Sequence, residues 1–394
     1  MHPSLSLAPL VTGATLAFAT AFALALLLVL TRRFHLRLTG DSHLHLPQKI
    51  HRDEIPRVGG VAIVAGFVTG LVHLVWFGRV PPAVGPITAA VLLAGLAPIA
   101  LVGFAEDLTK RVGPKQRLLW MALGAAILAV ARGLWLDRVD VPLLDLVFAH
   151  WPVALVFSVF ALVGAANAYN IVDGLDGLLA GVSLITLAAI AGVAAAVGDA
   201  KVFTLAVLLA TATLGWLPFN WPRARLFAGD GGAYALGFLT AALLLLLVDR
   251  NRQVSPWFGL TAAALPVWET LYSIWRRART GYDAMAPDQA HLHQLVRLRL
   301  HWLRKSLALR RAGIWSPDWT PPDRPAPPLK VAAPNGLCSP VLWSLHAAAA
   351  TAGAAFHGST PLQAATLVAF ALAYVLLHRR LLRSRAKYRL ALSG

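Results

Sequence analysis

The sequence predicts an all-α integral membrane protein with about eleven spanning helices, its N-terminus outside and its C-terminus inside. Three observations predict it. Hydrophobic residues fill 58% of the 394 positions and charged ones only 13%. With a mean hydropathy of +0.65, that composition excludes an ordinary soluble domain. Eleven apolar runs approach the roughly 20 residues needed to cross a hydrocarbon core. The cationic residues then collect on one side of those runs.

The runs fall at about 8–31, 58–78, 86–105, 118–136, 150–169, 178–198, 202–219, 232–249, 257–275, 340–357 and 361–378. The first has no Lys or Arg before it and Arg32 and Arg33 after it. That is the wrong charge flank for a secretory signal peptide, so it is expected to be a retained helix with its N-terminus outside. Counting sides from there, 29 of the 35 Lys and Arg residues fall in segments assigned to the cytoplasm. Positive charge gathers in cytoplasmic loops, so the bias supports the orientation. It survives removal of the long 276–339 segment, where the rule is weaker, at 18 against 6.

The chain divides accordingly. Residues 1–281 hold nine spans and the polar loops between them. Residues 282–339 form a cytoplasmic loop, 340–378 the last two spans, and 379–394 a basic tail suited to lipid head groups. Within the loop, 292–312 interleaves apolar residues with Arg297, Arg299, Arg304, Lys305, Arg310 and Arg311, as a helix lying in an anionic interface does. Six prolines within twelve positions (317–328) of the 316–334 segment predict an irregular linker. No repeat at a fixed period is evident. The lone cysteine, Cys338, excludes an intramolecular disulfide. The net charge of +17 fits a membrane face beside anionic lipid or an anionic substrate, not nucleic acid, because no basic domain stands apart from the spans.

The polar motifs all follow odd-numbered runs, so they share the cytoplasmic face. Lys49, His51 and Arg57 follow the first run. Glu106, Asp107 and Lys115 follow the third. Asn167, Asn170, Asp173, Leu175 and Asp176 sit at and after the end of the fifth. Asn220, Phe227 and Asp230 follow the seventh, and His291 and His293 the ninth. Acids facing lipid at a helix end are costly, so a cluster of this kind normally marks a site. Mg²⁺ takes oxygen ligands, often one or two carboxylates plus substrate phosphates, and Mn²⁺ suits the same donors. The glycines around Asp230 (Gly229, Gly231 and Gly232) would let backbone amides approach a phosphate at a helix start. Lys115, Arg117, His291 and His293 could balance a diphosphate, and Phe227 could stack on a flat base. These parts suit transfer of a phosphoryl-linked group, where positioning and charge neutralisation dominate.

Each residue also has a plainer reading. Asp173 or Asp176 could cap a helix. Glu106 could cap or pair with Lys110, and the histidines could be interfacial. Glu269, inside the ninth run, reads equally as a structural hydrogen bond or a functional group.

The spacing N-x-x-N-x-x-D-G-x-D-G-L from Asn167, the F-N-x-P-x-A block from Phe219, F-x-G-D-G-G from Phe227 and P-D-x-x-H-x-H from Pro287 stand in order. With I-P-R-V-G-G from Ile55 and the Glu106-Asp107…Lys115 block, the chain resembles the polyprenyl-phosphate N-acetylhexosamine-1-phosphate transferases over roughly residues 45–295. The single intervening residue between His291 and His293 resembles the branch that initiates O-antigen and related glycans more than the peptidoglycan branch.

The resemblance implies a Mg²⁺-dependent transfer of a sugar 1-phosphate from a UDP-N-acetyl sugar to undecaprenyl phosphate, with release of UMP. It places the reaction at the cytoplasmic face of a bacterial inner membrane, and by analogy suggests a homodimer. It implies that Asp230 binds the metal with Asp173 near it, that Asn170 lies near the diphosphate, and that Leu175, Asp176 and Phe227 form the uridine pocket. Asp107 and Lys115 would face the lipid phosphate, and His291 and His293 the diphosphate. Two positions depart from the family pattern. Glu106 replaces the first aspartate of a pair, and Gln294 replaces the last histidine; Glu106 keeps charge and Gln294 hydrogen bonding, so activity is expected to survive.

An alkyl phosphate has a second pKa of about 6, so the acceptor is largely dianionic at neutral pH. Asp107 is therefore expected to position it or take a residual proton late. The rival classes are a transporter or flippase of an anionic lipid-linked substrate, and an inactive homologue. A transporter would place ionisable groups near the midplane of several helices, whereas here the acids gather at one face.

Overall fold

The computed structural model describes residues 7–40, 54–77, 84–280, 290–311 and 335–392, and these form fifteen helices and no strand. Lys49, His51 and the Pro-rich 316–334 segment lie outside the described residues. Helix α1 (Leu7–Leu30) leads through α2 (Arg32–Thr39) to α3 (Gly59–Phe77), α4 (Pro86–Thr109) and α5 (Pro114–Arg132). A short α6 (Pro142–Phe148) precedes α7 (Trp151–Val172), α8 (Leu178–Ala196), α9 (Ala200–Asn220) and α10 (Gly229–Arg250). The remainder is α11 (Phe258–Ala262), α12 (Ala264–Thr280), α13 (Leu292–Arg311), α14 (Asn335–Ala355) and α15 (Thr360–Leu392).

The chain is an all-α integral membrane protein. Among the described residues, eight helices are long and apolar enough to cross a membrane: α1, α3, α4, α7, α8, α9, α10 and most of α15. The other expected spans coincide with α5, with α11 plus α12, and with α14. Each is less apolar for a visible reason. Helix α5 opens with Lys115 and Arg117, and α12 has only 17 residues and ends with three arginines. Helix α14 carries Asn335, Ser339, Ser344 and His346.

Three boundaries differ from the sequence expectation. Helix α7 continues to Val172, so Asn170 stands with Asn167 on its last turns instead of in a loop. The ninth run is broken at Ala263 into α11 and α12. Helix α15 runs unbroken for 33 residues into the basic tail. Helices α2 and α6, each eight residues or fewer, are too short for their periodicity to stand out. The basic segment after the His motif is helical as expected, over Leu292–Arg311.

Helix α10 is the axis of the bundle. It is buried along nearly its whole length and packs against α3, α4, α7 and α8. Glycines permit its closest approaches. A Cβ on Gly60 would fall on the backbone of Gly232, and one on Gly103 on that of Gly231. At Gly229 the requirement is conformational, since its φ is +73° and only glycine adopts that region freely. A second, smaller core joins Val172, Leu175, Leu178, Leu265, Leu292, Leu295 and Tyr374, so α13 and its His motif pack against the loop that follows α7.

The opposite end of the bundle is tied by ion pairs. Asp199 caps α9 through the Lys201 and Val202 amides, each at 3.1 Å. It also accepts from Arg250 Nε at 2.7 Å. Arg252 pairs with Asp137, and the Asp140 carboxylate accepts from the Thr360 hydroxyl at 2.6 Å. The two ends therefore differ, with closed structural pairs at one and the clustered motif residues at the other.

Candidate active site

The residues of the motif-bearing end come from the start of α3, the end of α4, the first turn of α5, the end of α7 and the start of α10. The centre is Asp230 in the first turn of α10. Its Oδ1 accepts from Arg57 Nη2 at 2.8 Å and its Oδ2 from Arg117 Nη1 at 3.1 Å. Tyr234, one turn along α10, receives hydrogen bonds at its hydroxyl oxygen from Arg117 at 3.2 Å and from Asn170 Nδ2 at 3.3 Å. One polar network thus joins α3, α5, α7 and α10.

Asp107 is fully buried beneath it. Its Oδ1 accepts from the Asp230 N–H and its Oδ2 from the Gly231 N–H, both at 2.9 Å, and Arg57 Nε lies 3.8 Å from Oδ1. Asp107 therefore satisfies two of the amides that a helix leaves unpaired at its N-terminus. This bears on two sequence expectations. The Asp230 and Gly231 amides of the glycine-rich turn face the Asp107 carboxylate and not open space for a phosphate, and Gly231 and Gly232 serve close helix packing. Asp107 is held inside the protein, with both oxygens occupied by the α10 backbone.

Glu106 is likewise engaged locally: its Oε2 accepts from the Val112 N–H at 2.8 Å and closes the loop after α4. Lys110 donates to the Asp107 carbonyl at 2.6 Å instead of pairing with Glu106. Lys115 is exposed on the first turn of α5, and it is Arg117, two residues later, that reaches Asp230.

Asp173 ends α7 and remains partly exposed. Enclosure pushes its carboxyl up to about 7; Arg57 pulls the other way, while Asp230, Asp107 and Asp176 add repulsion. Arg57 has the reverse balance. Burial lowers its pKa, but Asp230, Asp107 and Asp173 more than reverse this, so its guanidinium is held above the ordinary value. Three carboxylates from α4, α7 and α10 thus share the field of one arginine.

The loop after α7 is fixed by residues the motif contains. Asn220 is fully buried; its Oδ1 accepts from the Gly177 N–H at 2.8 Å and its Nδ2 donates to the Leu226 carbonyl at 3.2 Å. Asp176 Oδ2 accepts from the Ala224 N–H at 3.2 Å, and Ser339 donates to the Asp176 carbonyl at 2.6 Å. Leu175 lies in the smaller core. Asn167 bonds back to the Val163 carbonyl at 2.9 Å, one turn below Asn170. Phe227 is partly exposed, with its backbone paired to Pro56 and Gly59.

The His motif closes on the same loop. A Cβ on Gly174 would run into the His293 ring. His291 lies parallel to His293, with centroids 5.4 Å apart.

Among the described residues, no three His, Cys, Asp or Glu side chains already converge as a finished metal shell. The chemistry of the donor set nonetheless fits a hard divalent cation. Asp173 and Asp230 supply carboxylate oxygens, and Asn170 an amide oxygen, within one charged network. Those are the residues that would hold Mg²⁺ or Mn²⁺.

Sequence reasoning missed Arg57 and Tyr234 as members of this centre and gave Arg117 only a general part. Arg57 had a signal, standing inside I-P-R-V-G-G. Tyr234 had one as well, four residues after Asp230 and so on the same face of a helix.

The sequence description of glycosyl transferase family 4 matches residues 89–248, from α4 through α10. The chain is similar to that family over this segment. It is 31% identical over 250 residues to a probable undecaprenyl-phosphate N-acetylglucosaminyl 1-phosphate transferase of Bacillus subtilis, covering 62% of this chain and 66% of that one. A decaprenyl-phosphate N-acetylglucosaminephosphotransferase of Mycolicibacterium smegmatis is 32% identical over 117 residues, 27% of this chain and 29% of its own. An undecaprenyl-phosphate alpha-N-acetylglucosaminyl 1-phosphate transferase of Salmonella typhi is 28% identical over 259 residues, 63% of this chain and 67% of its own. The chain thus spans just under two thirds of the Bacillus relative and less than a third of the Mycolicibacterium one. The matched segment contains Asp107, Arg117, Asp173 and Asp230, while Arg57 and the His motif lie outside it.

Proposed function

We propose that this protein transfers an N-acetylhexosamine 1-phosphate from a UDP-sugar to undecaprenyl phosphate, at the cytoplasmic face of a bacterial inner membrane. The observation that carries the reading is the convergence of Asp173, Asp230, Arg57 and Arg117 from four helices at one end of an apolar bundle. A site there can receive a water-soluble nucleotide and a phosphate whose chain remains in lipid. The relatives' names, each pairing a polyprenyl phosphate with an N-acetylglucosamine phosphate, support it.

In the reaction, an oxygen of the acceptor phosphate attacks the sugar-bearing phosphorus of the donor. The bond from that phosphorus to the oxygen bridging to the uridylyl phosphate breaks, and UMP leaves with the electron pair. The product is a lipid-linked sugar diphosphate that starts a surface glycan of the O-antigen type. Attack by one anion on another is opposed by charge, so neutralisation and alignment are what the protein must supply.

Arg57 and Arg117 bring two guanidiniums to that point, and a guanidinium fork suits phosphate oxygens. The His293 ring, stacked on His291, lies against Gly174 in the Asp173 loop. Asp173 and Asp230 are the residues that would hold Mg²⁺, which would supply further charge neutralisation at the diphosphate. Asp107 acts by holding the first turn of α10, and so the backbone of Asp230, in place; it is a positioning residue.

The test is UMP release by purified protein in detergent with Mg²⁺, undecaprenyl phosphate and a panel of UDP-sugars, with Asp230→Asn alongside. Release that requires lipid, metal and a specific sugar, and that is lost in the variant, supports the reading. No release from folded wild type with any donor rejects it.

A further inference from the structure

Glu269 has no part in the transfer as described, yet it stands on α12 only 2% exposed. A carboxylate inside an apolar helix costs several kcal/mol unless it is partnered, so its partners indicate why it is there. Its Oε1 accepts from His291 Nδ1 at 2.8 Å and from the Leu292 N–H at 3.2 Å. The oxygen acts as acceptor in both contacts, so the His291 ring proton is on Nδ1. One turn further along α12, the Ser273 hydroxyl lies 3.3 Å from the same nitrogen.

The chain entering α13 is gripped from two helices. Arg276 on α12 donates to the Ala290 carbonyl at 3.0 Å, and His378 Nε2 on α15 donates to the same oxygen at 2.8 Å. Tyr272 on α12 reaches His378 Nδ1 at 3.5 Å. The His291 and His293 rings are inclined by only 6°, so an orientation imposed on the first constrains the second. His293, itself 5% exposed, closes on Gly174, the neighbour of Asp173. A continuous set of contacts thus runs from Glu269 through both imidazoles to the loop that carries Asp173 and Asp176.

We infer that Glu269 is a positioning residue for the transfer, fixing the tautomer and plane of His291 and, through the ring stack, the placement of His293 at the Asp173 loop. The inference rests on the transferase reading, because it assigns the two imidazoles to the donor's diphosphate.

The test is a double-mutant cycle in UMP release with Glu269→Gln, His291→Asn and the double variant, alongside ¹⁵N-histidine spectra of wild type and Glu269→Gln. Each single substitution is expected to lower kcat on the order of 10–100-fold, as loss of an outer partner of a ligating histidine does. The donor KM should move by less than about threefold. The double variant should be no slower than the slower single, since both remove one interaction. The His291 signal should show Nδ1 protonated in wild type and change in Glu269→Gln.

Near-wild-type kcat in Glu269→Gln, losses that multiply in the double, or an unchanged His291 signal would each overturn the inference. Should Glu269→Gln fail to fold, the same cycle run with Glu269→Asp decides the question by the same criterion. A wild type that releases no UMP is a different result, and it rejects the transferase reading instead.

Discussion

Replacing Asp107 with asparagine tests whether this residue acts through the backbone of α10 or directly on a substrate. The carboxylate accepts two backbone N–H groups at 2.9 Å inside the protein. Asparagine keeps the shape and one carbonyl oxygen but turns an amide N–H₂ toward either the Asp230 or the Gly231 N–H. One charge-assisted bond is lost, at about 1.5–3 kcal/mol, and one buried donor is left unsatisfied, at about 1–3 kcal/mol. Arg57, 3.8 Å from the carboxylate, loses part of its counter-charge as well. The sum is about 2.5–6 kcal/mol, at the upper end of what single substitutions do. The assay is thermal unfolding in detergent with no substrate or metal present, followed by UMP release. The expected result is a lowered melting temperature with reduced activity. A variant that melts with wild type yet has lost activity would refute the positioning argument and return Asp107 to the acceptor phosphate.

Three further expectations follow from the geometry. Gly60→Ala puts a methyl group onto the Gly232 backbone, an overpacking worth about 3 kcal/mol; lower folded yield and melting temperature are expected, and an unchanged melting temperature would count against the close α3–α10 contact. Arg57→Lys keeps the charge but not the fork that lies between Asp230 and Asp107, so kcat is expected to fall by about tenfold or more with a smaller stability loss than Asp107→Asn shows. Asp199 concerns pH: burial pushes its carboxyl up, but Arg250, Asn251 and the Val202 amide outweigh that and hold it below the ordinary value. Its contribution is therefore complete above the unfolded value of about 3.9 and is lost as pH falls through the folded value. Below about pH 4 the wild-type melting temperature should fall more steeply than that of Asp199→Asn; parallel curves would reject the assignment.

Much of the site was legible because its residues occur in short, ordered motifs at the ends of apolar runs. Period and charge placed Asp107, Asp173, Asp230 and the His motif at one end of the bundle. What each side chain does there was less legible. Asp107 and Glu106 are adjacent acids, yet one caps α10 and the other closes a loop six residues on. Adjacent helix residues point about 100° apart, and the sequence does not state which neighbour each will meet. Lys115 and Arg117 pose the same problem, settled by which face of α5 turns toward α10. Glu269 was noticed as an anomaly in an apolar run, but its partner His291 lies 22 residues away across a connection.

The sequence by itself determined the membrane class, the helical architecture, the gathering of polar motifs on one face and the resemblance to a transferase family. Those follow from composition, from period and from the cost of placing charge in hydrocarbon, all of which are local properties of the chain. The tertiary structure decided which carboxylates are spent on the fold and which face the site. It also decided that Arg57 and Arg117 rather than Lys115 hold Asp230, and that Gly231 and Gly232 at the α10 start serve close helix packing. Those outcomes depend on which helix faces meet, and that is fixed only when the bundle closes around α10.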